Sequence, residues 1–352
     1  MKINEIEQKS RQMLENVFSE IPFIKNVEIT RQEGEEQDLS DFFVSLNTSE
    51  RRVNLLVEIK SSGQPRLARE VVNKFLRLKE DSRYSGAYPV FMASYISETS
   101  ANICKEGDVG YLDLAGNAYL SFGSIFISRE GRKNPYVSTR ALRSIYRPKS
   151  SRVLRVLLMT PERYWKFQEL SDEAGVSLGQ VANVKKGLKD WEWIKEGSRG
   201  FRLSDPRSLL MDWAKNYSFE KNKIFKFYTL EGPENAENKI AEVCGKINAG
   251  YALTAFSAAA RIAPAVRYKR VTAYLSGRVN DVAGYADFKR VESGANVVLA
   301  LPLDEGIFYG ATEVNGMKIA SPIQVFLDLY GLKTRGREAA DMVLKQVIEP
   351  AW

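Results

Sequence analysis

The chain contains no histidine among its 352 residues. That single absence removes Ser-His-Asp and Cys-His nucleophilic sites, histidine general bases and histidine-ligated zinc. Cysteine is nearly absent too. Cys104 and Cys244 lie far apart in sequence, too few for a disulfide framework and in keeping with a reducing compartment. No apolar run approaches the ~20 residues that span a bilayer, and the N-terminus "MKINEIEQKS" lacks the apolar core of a signal peptide. A cytoplasmic protein with no membrane partner is expected. Any catalysis must draw on carboxylate, lysine, tyrosine, or a hard metal held by oxygen.

What is present is an ordinary globular composition, 44% hydrophobic and 27% charged, long enough for two or three domains. The net charge of +7 is unevenly spread. Residues 129–166 hold eleven Lys and Arg, among them Arg143, Arg147 and Arg152, against only Glu130 and Glu162. Such a block is either the electrostatic footprint of a nucleic-acid contact or a solvated linker.

Three segments follow from periodicity and turn chemistry, giving an α/β multidomain chain. Residues 1–135 alternate helical and strand-like runs, with strands at 26–30, 41–46, 53–60 and 88–95 and a capped helix in "SETSANICKEG". Residues 136–150 form a basic linker. Residues 151–205 carry an amphipathic helix stopped near Pro161, two helices separated by "AGVS", and a short hairpin around Gly197 and Gly200. Residues 206–352 form a C-terminal α/β domain, with strands expected at 270–275 and 296–301 and helices near 235–249, 255–263, 321–330 and 335–348.

The stretch "VNLLVEIKSSGQP" (53–65) combines strand character with charge. On a strand, Leu55, Val57 and Ile59 share one face, while Leu56, Glu58 and Lys60 share the other. If the hairpin joining 41–46 to 53–60 is symmetric, paired residue numbers sum to 99, and Asp41 comes opposite Glu58. Facing carboxylates destabilise a sheet unless a positive group lies between them, and Mg²⁺ or Mn²⁺ is the natural candidate. The alternative is that these are the ordinary charged end of a strand.

Asp41, then Glu58-Ile59-Lys60 on the next strand, in a helix-strand-strand-strand-helix-strand order, resembles the PD-(D/E)XK nuclease fold. That resemblance implies a restriction-endonuclease-like mixed sheet, with Asp41 and Glu58 as metal ligands, Lys60 as a catalytic residue and Gln64 as a polar helper. Ser40 stands where the family motif has proline. Residues 151–205 resemble a bacterial winged helix-turn-helix, whose second long helix would enter the major groove of double-stranded DNA. Ser177, Gln180, Asn183 and Lys186 would face DNA, Lys185 and Lys189 would add general affinity, and Arg199 would sit in the wing, while Val176, Val181, Val184 and Leu188 face the core.

The segment order, with "YALTAFSAAARIAPAVRYKRVTAYL" and "ASPIQVFLDLYGLKTRGREAADMVLKQVI", resembles the AbiEi-like type IV abortive-infection antitoxins over residues 150–352. That implies a DNA-binding transcriptional regulator of a toxin–antitoxin or defence locus, partnered by a cognate toxin protein. The C-terminal part is reminiscent of a nucleotidyltransferase but lacks its Gly-Ser turn and Asp-x-Asp pair, so a non-catalytic role is expected. "AFSAAARIA" then reads as a small-residue helix packed closely on a sheet. The alternative reading of the whole chain is a Mg²⁺-dependent DNA endonuclease targeted by its winged helix.

Overall fold

The computed structural model describes residues 3–32, 40–49, 51–78, 86–135, 145–264, 268–332 and 335–352. Two compact units emerge, one of residues 1–138 with 189–192 and one of residues 139–188 with 193–352. The helices and hairpin expected at 151–205 thus fall mostly in one unit with the C-terminal sheet.

The first unit is a seven-stranded mixed sheet whose strands lie in chain order. A meander of β1 (Ile24–Arg31), β2 (Phe42–Thr48) and β3 (Arg52–Lys60) is antiparallel. β4 (Tyr88–Ala93) and β5 (Gly110–Asp113) then run parallel to β3, and β6 (Ala118–Phe122) and β7 (Ile125–Arg129) close the sheet antiparallel. Strand alternation divides the core. Leu55, Val57 and Ile59 pack with Ile6, Leu14 and Phe18 of α1 (Ile3–Ser19). Leu56 and Phe91 pack on the opposite face with Val71, Val72 and Phe75 of α2 (Pro65–Leu78) and with α3 (Glu98–Glu106). Glu58, in step with Leu56, therefore belongs to the α2 face. α3 is capped as its sequence suggests: the Ser97 side chain accepts from Ser100 N, and Gly107 ends it. The crossover into α2 requires Gly63, because a Cβ there would lie 2.4 Å from the Tyr95 carbonyl.

The second unit opens with α4 (Pro148–Met159), α5 (Phe167–Ala174) and α6 (Leu178–Asp190, its last two residues grouped with the first unit), followed by the hairpin of β8 (Ile194–Gly197) and β9 (Gly200–Leu203). α4 begins three residues before the expected start. Pro148 sits in its first turn, where a missing N–H costs nothing. Ile145 is buried and Tyr146 stacks on Trp213, so the end of the segment read as a linker is packed into this unit. After α7 (Pro206–Asn216) comes a seven-stranded sheet in the order β13-β10-β14-β12-β11-β16-β15. Its strands are β10 (Lys223–Tyr228), β11 (Tyr251–Leu253), β12 (Val271–Leu275), β13 (Lys289–Arg290), β14 (Val297–Leu301), β15 (Thr312–Val314) and β16 (Met317–Ile319). α8 (Pro233–Lys246), α9 (Ala255–Ile262), α10 (Val279–Tyr285), α11 (Pro322–Tyr330) and α12 (Arg335–Val343) complete it. α9 is the small-residue helix: Ala258 and Ala259 are buried, and Ser257 Oγ accepts the Thr272 amide of β12. Cys104 and Cys244 are both buried and free.

Candidate nucleic-acid interface and carboxylate centre

The β2–β3 register follows the expected sum of 99, with Phe42 opposite Val57, Phe43 opposite Leu56 and Ser45 opposite Asn54. Asp41 lies immediately before β2. Its backbone N–H donates to the Val57 carbonyl at 3.0 Å, and its Oδ2 accepts the Ile59 N–H at 2.6 Å. Burial raises the Asp41 carboxyl above its ordinary range, the Ile59 hydrogen bond opposes that, and the Glu58 charge adds to it.

Glu58 is 4% exposed, and the positive group expected beside it is a pair of lysines. Lys60 Nζ donates to Oε1 at 2.6 Å, and Lys74 Nζ of α2 donates to Oε2 at 2.7 Å. Both carboxylate oxygens are therefore held by charged donors, the strong class of hydrogen bond. Gln64, at the foot of α2, accepts from Ser62 Oγ at 3.3 Å, and its carbonyl accepts the Ala68 amide. Lys74 was not among the residues singled out in the sequence. Its signal is slight: a cation between Val71, Val72 and Phe75, on the edge of the apolar stripe of α2.

As a metal site this set fits poorly. Among the described residues, no group of three or more Asp, Glu, Cys or His gathers to hold an ion. The two carboxylates present have three of their four oxygens engaged by Lys60, Lys74 and the Ile59 amide. A hard cation would have to displace the lysines, and no chemical step through a metal is derived.

The α4–α6 bundle and hairpin have a different character. α5 ends on Gly175 in the left-handed conformation (φ 60°), its N–H reaching back to Asp172 and Ser171. Ser177 opens α6, its hydroxyl accepting the Gln180 amide at 3.3 Å. Val181, Val184 and Leu188 are buried, while Ser177, Asn183, Lys186 and Lys189 are exposed. In the hairpin, Lys195 and Arg199 are exposed, with the Arg199 guanidinium 5.0 Å from the Tyr164 ring. Gly200 (φ 122°) permits the tight passage under Trp165, whose carbonyl a Cβ would meet at 2.2 Å.

Some expected DNA-facing residues are otherwise engaged. Gln180 Nε2 donates to Ser150 Oγ at 2.6 Å. Lys185 is half-buried, paired with Glu196 at 2.9 Å and set against the Phe167 and Phe201 rings. Arg152 forms a fork with Asp304, through Nε at 2.6 Å and Nη2 at 3.0 Å. Arg155 of the same basic block is 3% exposed and donates through Nη2 to Gln324. Arg147, Lys149, Arg163 and Lys166 are exposed. Arg143 lies outside the described residues.

A third polar centre was not foreseen. Asp328 of α11 is buried among uncharged donors: Tyr217 Oη at 2.6 Å, Tyr274 Oη at 2.9 Å, Gln324 Nε2 at 2.9 Å, and Thr254 Oγ1. Desolvation pushes its carboxyl up to about 6 against the pull of those hydrogen bonds. No turn or motif marks this site, because its members come from α7's end, the start of α9, β12 and α11.

No described helix is long and apolar enough to cross a membrane. Neither the comparison with curated proteins nor that with solved structures found a match. Residues 202–349 match the family model described as "Transcriptional regulator, AbiEi antitoxin, Type IV TA system". The match begins inside β9 and covers the C-terminal sheet, a shorter stretch than the 150–352 over which the resemblance was read. It supports an AbiEi-like antitoxin character for this part of the chain, and with it a transcriptional regulator of a type IV toxin–antitoxin system.

Proposed function

We propose that the chain is an AbiEi-like regulator that binds double-stranded DNA through the α4–α6 bundle and the β8–β9 hairpin, a winged helix-turn-helix, and that pairs functionally with a cognate toxin protein. The observation that carries the reading is the split of α6. Its Val181, Val184 and Leu188 face the core, while Ser177, Asn183, Lys186 and Lys189 are exposed, beside a hairpin exposing Lys195 and Arg199. A recognition helix needs this pairing of apolar anchor and polar edge. The Asn183 amide suits adenine, and Lys186 suits guanine or phosphate. The basic block contributes through Arg147, Lys149, Arg163 and Lys166 rather than through Arg152 and Arg155, which are committed to Asp304 and Gln324.

The helix, three-strand meander, helix and parallel strand of the first unit support its likeness to the PD-(D/E)XK fold. We read it as such a domain used as a scaffold rather than as a metal-dependent nuclease, because two lysines hold Glu58.

The test is fluorescence anisotropy on duplex DNA from upstream of the chain's own gene, across a salt series. Asn183→Ala should cost about 1–3 kcal/mol of specific binding and narrow the gap between specific and random DNA. Lys186→Ala with Lys189→Ala should weaken both alike and reduce the salt slope by about one per lost phosphate contact. Unchanged affinity and slope in all these variants would overturn the assignment of α6. Plasmid nicking that requires Mg²⁺ and disappears in Lys60→Ala would overturn the scaffold reading in favour of an endonuclease.

A further inference from the structure

The second unit contains a cavity of about 820 Å³, within the size range of small-molecule sites. Its lining is strongly one-signed. Arg147, Arg155, Lys215 and Lys221 all contribute. Among the described residues that line it, Asp304 is the one carboxylate, and Arg152 and the Gly306 amide already hold it. Four cations in one concavity raise the local concentration of small anions.

Arg155 makes the case specific. Its side chain is 3% exposed, yet none of the described carboxylates hydrogen-bonds to it. Nη1 donates to Ser151 O at 3.2 Å and Oγ at 2.8 Å, and Nη2 to Gln324 Oε1 at 2.6 Å. Nε–H, sealed from solvent, has no acceptor among the described residues. Asp304 and Asp328 act on this charge only from beyond hydrogen-bond reach. A buried guanidinium with no carboxylate in hydrogen-bonding contact carries a desolvation penalty. An oxyanion in the cavity offsets that penalty through its charge.

Two more features point the same way. Arg147, the N-cap of α4, is exposed, lines the cavity and makes no side-chain capping bond. Tyr146, half-buried and stacked on Trp213 with ring centroids 6.2 Å apart, adds aromatic surface to the lining. We propose that this cavity is the binding site of a small molecule carrying a phosphate or carboxylate oxyanion, seated against Arg155, Lys215 and Lys221. Duplex DNA is the less suitable occupant, because a phosphate on a stiff helix does not reach a side chain buried this deeply.

Isothermal titration calorimetry of the full chain with inorganic pyrophosphate, and separately with citrate, at constant ionic strength tests this and separates phosphate from carboxylate ligands. Saturable binding of either below 1 mM is expected. The double variant Lys215→Glu/Lys221→Glu changes two exposed side chains and, with an unaltered circular dichroism spectrum, should weaken it at least tenfold. Arg155→Gln should weaken it further wherever that variant still folds. Absence of saturable binding of both probes below 10 mM, or equal affinity in the double variant, would overturn the proposal. So would a double variant that loses duplex DNA affinity while neither probe binds the wild type, since the cavity would then be part of the DNA surface.

Discussion

Glu58 and Asp328 are both buried carboxylates, and the chain accommodates them in opposite ways. Glu58, 4% exposed, is met by two lysine charges, and its partner Lys60 keeps about a third of its side chain in solvent. Asp328, 2% exposed, is met by four uncharged donors and by no lysine or arginine within hydrogen-bond reach among the described residues. The first arrangement answers the carboxylate's charge with charge and leaves one side open to exchange. The second seals the carboxylate and raises its proton affinity. Burial alone therefore does not mark a functional acid. The partners decide whether it is a site or a piece of internal scaffolding.

The largest expected effect lies on the sealed side. Asp328→Ala strands the donors of Thr254, Tyr217, Tyr274 and Gln324 in a buried pocket. Each unmet donor costs about 1–3 kcal/mol, partly relieved by relaxation, so a loss of about 4 kcal/mol is expected in urea unfolding. Asp328→Asn keeps the shape and should cost about half as much. A loss below 1 kcal/mol in Asp328→Ala would mean that the network is slack and the contrast with Glu58 false.

Next comes pH. The folded carboxyl of Asp328 binds its proton more tightly than the unfolded one. Between the ordinary carboxyl range and about pH 6, the folded state therefore holds a proton that the unfolded state has released. Stability contributed by this group is present at low pH and is lost as pH rises through that window, by up to about 3 kcal/mol. Other carboxylates add their own slopes, so the difference between wild type and Asp328→Asn is the quantity to measure. A difference that stays flat from pH 4 to pH 7 would show that Asp328 does not titrate there.

The two centres also differed in how readily their residues could be read. Glu58 and Lys60 are two apart on one strand, and a symmetric hairpin turn sufficed to bring Asp41 beside them, so alternation and register found the acid. Lys74 escaped because helix α2, not the strand, carries it to Glu58. Asp328 escaped altogether, since its partners Thr254 and Tyr217 lie 74 and 111 residues away in sequence. The same distance misled the reading of the basic block. Arg152 and Arg155 look like surface charge until Asp304 and Gln324, 152 and 169 residues later, fold onto them. In the C-terminal sheet, the buried β12 and the largely buried β14 announced themselves as apolar runs. β10 mixes two lysines into an apolar run, and β11 has three residues, so neither stood out.

A smaller effect is expected at the lysine pair. Lys74→Met leaves Glu58 with Lys60 alone in a largely dry setting and should cost about 2 kcal/mol, less than a complete loss of partners would. Lys60→Met should cost less, about 1 kcal/mol, because Lys60 is the more exposed and water can replace it. Equal losses would mean that the two lysines share the charge evenly, whatever their exposure.

The smallest expected effect concerns divalent metal. For Mn²⁺ to bind Asp41 and Glu58, it must displace Lys60 or Lys74 from a Glu58 oxygen, so its affinity is set by competition with an ammonium group already in place. At a metal concentration near its dissociation constant, a ligand of the native state adds only about 0.4 kcal/mol, a rise in melting temperature of about 1–2 °C. Wild type in millimolar Mn²⁺ should show no more than this. Lys60→Ala removes the more exposed competitor and should enlarge the rise, whereas Glu58→Gln should abolish it in either background. A rise of many degrees in wild type would mean that the lysines yield readily and that the Glu58 centre is a metal site after all. A rise that survives Glu58→Gln would place the ion elsewhere and leave Glu58 as closed to cations as Asp328.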